Sequence, residues 1–255
     1  RRGTRTKETR MKTTTLLASI ALAVLSGCAQ QIPTYRVNHK FVQSPPTYAP
    51  KKVLIMPVDV TIKEVTAGGV AEEVPEWSKQ GAANVHTALN DYFRSAKKKE
   101  VQLIEMPKLV DKDRETLLQH LALYRRVAGA VTSQTYGLQP WLHKIQKFDY
   151  TLGDGLKSIG TRTGADSAIV VFGEDEVSTT GRKIAAVFMD NVSLGHTFLA
   201  AAFVNFNSGD IIWFNYAYQY KNTDLRKPGD AAYIVERLFE EYPGVDRYQQ
   251  LKLVQ

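Results

Sequence analysis

Three acidic residues stand together at Glu174, Asp175 and Glu176, and Asp190 and His196 follow soon after. Carboxylates pushed together acquire separated pKa values. Such a group can therefore supply an acid and a base, or hard oxygen ligands for a divalent cation. Alternation along a strand would place Glu174 and Glu176 on one face and Asp175 on the other. That works against convergence and leaves a solvated strand end as the competing reading. The remaining histidines, His39, His86, His120 and His143, form no pair at metal-ligand spacing and read as surface or boundary residues. Gly-x-Ser-x-Gly, a Gly-rich phosphate loop and His-Glu-x-x-His are all absent from the sequence. The sequence implies no catalytic residue, no cofactor and no metal. Asp224 and Arg226 flank Leu225 just after a strand-like run, close enough for a charge-assisted hydrogen bond. A structural loop lock is preferred there over catalysis.

The one cysteine, Cys28, closes the run Leu25-Ser26-Gly27-Cys28. Ahead of it lie Met11 and Lys12, then an apolar stretch over residues 16–25. About ten residues suit a signal core and are too few for a spanning helix of about 20. Ser26 and Gly27 are small and Leu25 is not, which separates the run from an ordinary secretory cleavage site. It resembles a bacterial lipoprotein signal peptide with its lipobox. The resemblance implies that residues 11–27 are removed and that Cys28 becomes the lipidated first residue, a membrane anchor. Residues 1–10, before Met11, are an upstream extension outside the fold. The residue after Cys28 is Ala29, not Asp. By resemblance to enterobacterial sorting, that implies the outer membrane, facing the periplasm.

The net charge of +7 changes meaning with this assignment. Residues 1–27 hold six basic residues and one acid, a net +5, so the chain from Cys28 is near +2. The basic balance belongs mostly to the leader, and nucleic acid is not an implied partner. The lysines at 97–99 read as a solvated helix end. No cysteine is left for an internal disulfide, so a core must hold the domain.

Residues 28–50 read as the lipidated cysteine and a tether, with Pro33, Pro45, Pro46 and Pro50 breaking any periodic element. An extended tether at about 3.1 Å per residue would reach on the order of 70 Å. Residues 51–244 read as a single globular domain and 245–255 as a loose tail. A buried strand covers 53–60, with Pro57 marking a bulge or edge. A helix starts at Ser78 as N-cap with Trp77 stapling its entry. A strand at 101–106 and a helix at 113–134 follow. A short helix near Leu156 and Ile159 ends at Gly164. Strands are expected at 168–172, extending toward 177, and at 184–189. Residues 197–206 and 211–220 form a hairpin. A final helix, capped by Asp230, buries Ala231, Ile234, Val235, Leu238, Phe239 and Tyr242. On the second hairpin strand, alternation places Ile212, Phe214, Tyr216, Tyr218 and Tyr220 on one face. This face is core beneath helices, or a partner surface where Tyr216, Tyr218 and Tyr220 outrun the helix cover. Trp77, beside Gly68 and Gly69, is a second candidate partner surface. Together the elements give an α/β class of α+β type, a mixed sheet with helices packed on it.

Three features carry a further resemblance. The first is the lipobox and Pro-containing tether leading to a strand that ends Pro57-Val58-Asp59. The second is Gly164-Ala165-Asp166 entering the strand from Ala168. The third is Asn205-Phe206-Asn207-Ser208-Gly209-Asp210 followed by Ile211-Ile212-Trp213. Together they resemble periplasmic lipoproteins built on the TolB N-terminal-domain fold, the group that includes CsgG and PelC. The resemblance implies a non-catalytic adaptor or assembly factor in the cell envelope, working through a protein partner or as a homo-oligomer. No pair of ten-residue alternating segments is left over for a barrel wall, so a PelC-like rather than pore-forming member is expected. The alternative is an envelope hydrolase or metal-dependent enzyme using Glu174, Glu176 and His196.

Overall fold

β6 (Ser167–Ser178) organises the architecture. Its first half is apolar on both faces and fully buried, the pattern of a strand covered from both sides. The computed structural model describes residues 35–44, 49–95, 101–189, 192–220 and 223–242. In it β6 lies inside an eight-stranded mixed sheet. On one side run β7 (His196–Asn205), β8 (Ile211–Tyr220) and the edge strand β1 (Arg36–Val37), each antiparallel to its neighbour. On the other side β6 pairs in parallel with β2 (Lys52–Ile55) along its start and β3 (Asp59–Val65) along its end. β5 (Gln102–Ile104) extends β2, and β4 (Ala71–Glu73) folds back on β3.

Helices cover both faces. On one, α2 (Pro75–Arg94) and α7 (Pro228–Phe239) set Val85, Leu89, Ile234 and Leu238 against Ile169, Val171, Leu199 and Phe203. On the other, α3 (Asp111–Tyr136) and α5 (Lys157–Thr163) set Leu117, Tyr124, Val131 and Ile159 against Ala168, Val170, Ala202 and Val204. Gly164, at φ 70°, closes α5 in the left-handed conformation that glycine adopts without a Cβ clash. The expected α/β class, a mixed sheet with packed helices, is the observed one.

Two one-residue irregularities decide which side chains face which helices. Between Ile55↔Ile169 and Asp59↔Phe172 the β2–β3 path uses one residue more than β6. Pro57 sits in that step. Odd residues Val53 and Ile55 face α2, and after the step even residues Val60 and Ile62 do so. In β8 the register slips between Phe203↔Trp213 and Val204↔Ile211. Ile212 is therefore turned to the α2/α7 side, while Phe214 and Tyr216 face α3. A slip of one residue reverses facing, because the side-chain period of a strand is two. The five-residue face expected on β8 is thus a four-residue face without Ile212.

Other expectations change as well. The tether does not run free to residue 50. Arg36 and Val37 pair with β8, and α1 (His39–Gln43) follows with Asn38 Oδ1 accepting from Lys40 N at 3.0 Å. Phe41 and Val42 are buried, so apolar burial outweighs the break signals of the flanking prolines. Ser78 lies inside α2, which begins at Pro75. Its Oγ accepts from Ile62 N at 2.8 Å and donates to Val74 O, tying the helix to β3. The strand expected at 184–189 is helix α6 (Thr180–Phe188), because the Thr179 hydroxyl caps it by accepting from Arg182 N at 3.2 Å. Asp230 lies in the first turn of α7, after Pro228 at its start. Its Oδ2 accepts from Asp224 N at 3.0 Å rather than capping the helix. A short helix, α4 (Leu142–Gln146), follows α3.

Candidate functional site

The ends of β6, β7 and β8 extend beyond the cover of α3. Even-numbered residues there continue the α3-facing side of the sheet: Glu174 and Glu176 from β6, His196 and Phe198 from β7, and Tyr216, Tyr218 and Tyr220 from β8. Exposure rises along β8, from partly buried Tyr216 to 39% at Tyr218 and 74% at Tyr220. The rings form a continuous series. Tyr136 of α3 meets Tyr216 edge-on at 4.8 Å, Phe198 lies between Tyr216 and Tyr218, and Tyr218 meets Tyr220 at 4.6 Å. His196 stacks on Tyr218 at 5.1 Å and 10°. Burial pushes the Tyr218 hydroxyl above its ordinary range, aided by Tyr220 and Glu176. Where the row passes under the end of α3, a groove of about 450 Å³ opens between Gly129, Thr132, Tyr136, Phe172, Phe198 and Tyr216.

The structure brings some of the acidic candidates together and separates others. His196 Nδ1 lies 3.2 Å from Glu176 Oε2. Glu174 Oε2 is engaged by Lys63 Nζ at 3.4 Å. Asp175 points through the other face and is fully buried, accepting from Thr197 Oγ1 at 2.7 Å and Leu225 N at 2.9 Å. Burial pushes its carboxyl up to about 6, against those two hydrogen bonds. Among the described residues no three His, Cys, Asp or Glu side chains are grouped to hold a metal ion. Asp190 and the lysines at 97–99 lie outside the described residues, as do Cys28 with its leader and residues 243–255. Among the described residues no helix is long and apolar enough to cross a membrane.

Asp224 and Arg226 meet in a two-pronged ion pair, Nε to Oδ1 and Nη2 to Oδ2, both at 2.8 Å. Burial raises the Asp224 carboxyl, but the hydrogen bonds and charge of Arg226 outweigh it and hold it below the usual carboxylate range. Arg226 also lies over the Trp77 ring at 3.9 Å. Trp77 is on α2 rather than in the loop near Gly68, and it is half-buried with one ring face covered. Asp175, Asn84 and Gln80 hold the backbone of Leu225 and Arg226, so the connection into α7 is bound from both β6 and α2. Sequence reading paired Asp224 with Arg226 but missed Asp175 as their backbone support. The signal was its opposite parity to Glu174 and Glu176, which turns a lone carboxylate into the packed side.

No protein-family model matches the chain, and no curated protein matches it. Among solved structures it is similar to the PelC dodecamer from Paraburkholderia phytofirmans, at TM-score 0.32 and 8% identity over 74% of this chain and 84% of that one. It is also similar to lipoprotein GNA1162 from Neisseria meningitidis, at TM-score 0.30 and 9% identity over 76% and 96%. The LpoB C-terminal domain from Salmonella enterica aligns at 0.27 and 12% over 71% and 91%. These are distant likenesses, and neither the fold nor the aromatic and acidic site rests on them.

Proposed function

We propose that this chain is a lipoprotein of the bacterial cell envelope, acylated at Cys28 and held on the outer membrane facing the periplasm. It works without catalysis, as an adaptor or assembly factor that binds a protein partner or further copies of itself. The observation that carries the binding role is the aromatic row that runs from partly buried Phe198 and Tyr216 to exposed Tyr218 and Tyr220, with its adjoining groove. Tyrosine supplies apolar area with a polar tip at low entropic cost, which suits it to protein interfaces. The lipobox-like run ending at Cys28 supports the anchor.

The second reading, an envelope hydrolase or metal-dependent enzyme, has the 3.2 Å contact between Glu176 and His196 in its favour. Against it, Glu174 is engaged by Lys63 and Asp175 faces the opposite helix layer. A photo-crosslinker at position 218 of the full chain in membranes tests the binding role. One discrete adduct, to a partner or a second copy and absent from a control crosslinker at Asn207, is expected. No adduct, together with hydrolytic activity that His196→Ala abolishes, would replace this reading with the second.

A further inference from the structure

The outer strands of the sheet are not guarded alike. β4 carries Glu72 and Glu73, both exposed. β5 is three residues long and runs straight into Glu105 and Pro107. β1 is two residues long and covers β8 only at Trp213 and Phe214. Charge, shortness and proline are the usual means by which an edge avoids pairing with another chain. Beyond Phe214, β8 has none of them. Asn215 to Tyr220 carries no charge and no proline, and it keeps an unbroken register with β7.

The register shows which backbone groups this edge leaves bare. Asn38 N donates to Ile212 O at 2.8 Å, and Arg36 lies opposite Phe214 on the same ladder. Bonding alternates along an antiparallel pair. The even-numbered residues of β8 therefore turn N–H and C=O outward, and Asn215, Ala217 and Gln219 turn theirs to β7. Among the described residues no backbone group bonds the outward side of Tyr216, Tyr218 or Tyr220. What fits there is an extended polypeptide, whose own outward groups recur about every 6.8 Å, two residues at about 3.4 Å each.

We propose that a second copy of the chain fills this edge, β8 antiparallel to β8 about a two-fold axis at Tyr218. This rests on the binding role proposed above for the aromatic row. The edge is complementary to itself. With Tyr218 opposite Tyr218 of the second copy, Tyr216 meets its Tyr220, and each pair exchanges both hydrogen bonds. A shift of two residues one way runs into β1, and the other way leaves Tyr216 unpaired. The tyrosines then form aromatic cross-strand pairs on the α3 side, and Ala217 lies beside neutral Gln219 on the other. No like charges are opposed, since Glu176 and His196 sit on the inner strands and face each other at 3.2 Å. A foreign strand finds no charge here to select it, whereas self-pairing requires none. The two-fold pairing also closes, because it uses the bare stretch of β8 in both copies.

The test is amide hydrogen exchange of the full chain in detergent, read residue by residue across a dilution series, beside sedimentation equilibrium in density-matched detergent. As concentration rises, the mass should pass from one copy to two. The amides of Tyr216, Tyr218 and Tyr220 should slow several-fold in step with it. Those of Asn215, Ala217 and Gln219, bonded to β7, should be slow throughout. Tyr218→Pro removes an outward N–H and no bond to β7, so it should abolish the pairing, while Tyr218→Phe keeps it. Two copies without slowing at the three tyrosines, or a folded Tyr218→Pro chain that still pairs, would overturn the inference and leave self-association at another surface. Slow exchange at the three tyrosines that dilution does not change would mean that the edge is filled from within one chain, and would also overturn it. A single copy at every concentration overturns it as well. In that case a discrete adduct to another protein from the crosslinker at position 218 preserves the binding role, and its absence removes that role too.

Discussion

Replacing Asp175 with asparagine should remove a specific pH dependence of stability. The Asp175 carboxyl is fully buried and pushed up to about 6, against an ordinary value of 3.8. A raised folded-state pKa means that the native protein binds the proton more tightly than the unfolded chain does. The associated stability is fully present below pH 3.8 and is lost as pH rises through about 6. A shift of about two units corresponds to about 3 kcal/mol in total, at 1.36 kcal/mol per unit. Between pH 4.5 and 7.5 about 2 kcal/mol of it remains to be lost, because the unfolded carboxyl is already mostly ionised at the lower pH. The neutral amide can still accept from Thr197 or Leu225, but it has no such titration. Urea unfolding of both proteins across this range gives the assay. The variant should gain on the wild type by about 2 kcal/mol as pH rises, whatever other carboxylates do to both. A difference that stays constant within about 0.5 kcal/mol would refute the reasoning, since two-state extrapolations resolve changes of the predicted size.

Arg226→Ala should cost about 1–3 kcal/mol by removing the two-pronged partner of Asp224, leaving only Lys227 at 3.9 Å, and should shift Trp77 fluorescence by uncovering the ring. Phe41→Ala should cost about 3–5 kcal/mol despite lying in a segment that reads as tether, because its ring is fully buried; denaturant midpoints measure this. Gly173→Ala should cost about 1–3 kcal/mol, since a Cβ there would meet Leu199 and the Phe198 carbonyl in the neighbouring strand; the melting temperature reports it. Cys28→Ser should release a folded domain into the periplasm or leave an unprocessed precursor, and a fully processed variant still sedimenting with membranes would count against acylation.

Several elements were legible because one local signal dominated. The spacing Ala231, Ile234, Val235, Leu238 and Phe239 gave α7, and the turn before Ile211 gave the β7–β8 hairpin. The continuous apolar run from Ala168 to Phe172 gave the first half of β6. Other segments carried competing signals. Ile184 to Met189 is as apolar as a strand, and only the Thr179 cap selects helix. Arg36 to Val42 lies among prolines, and its order depends on β8 and the core supplying partners far away in sequence.

The sequence by itself determined the class of the fold, the absence of disulfide support and the candidate anchor at Cys28. These depend on composition and on short runs whose physics is local. The tertiary structure decided which side chains share a surface. One extra residue near Pro57 and one at Ile212 each reverse the facing of the strand residues beyond them, and no local propensity fixes where a register slips. The structure alone therefore placed Glu176, His196 and Tyr218 together and turned Asp175 away to hold Leu225.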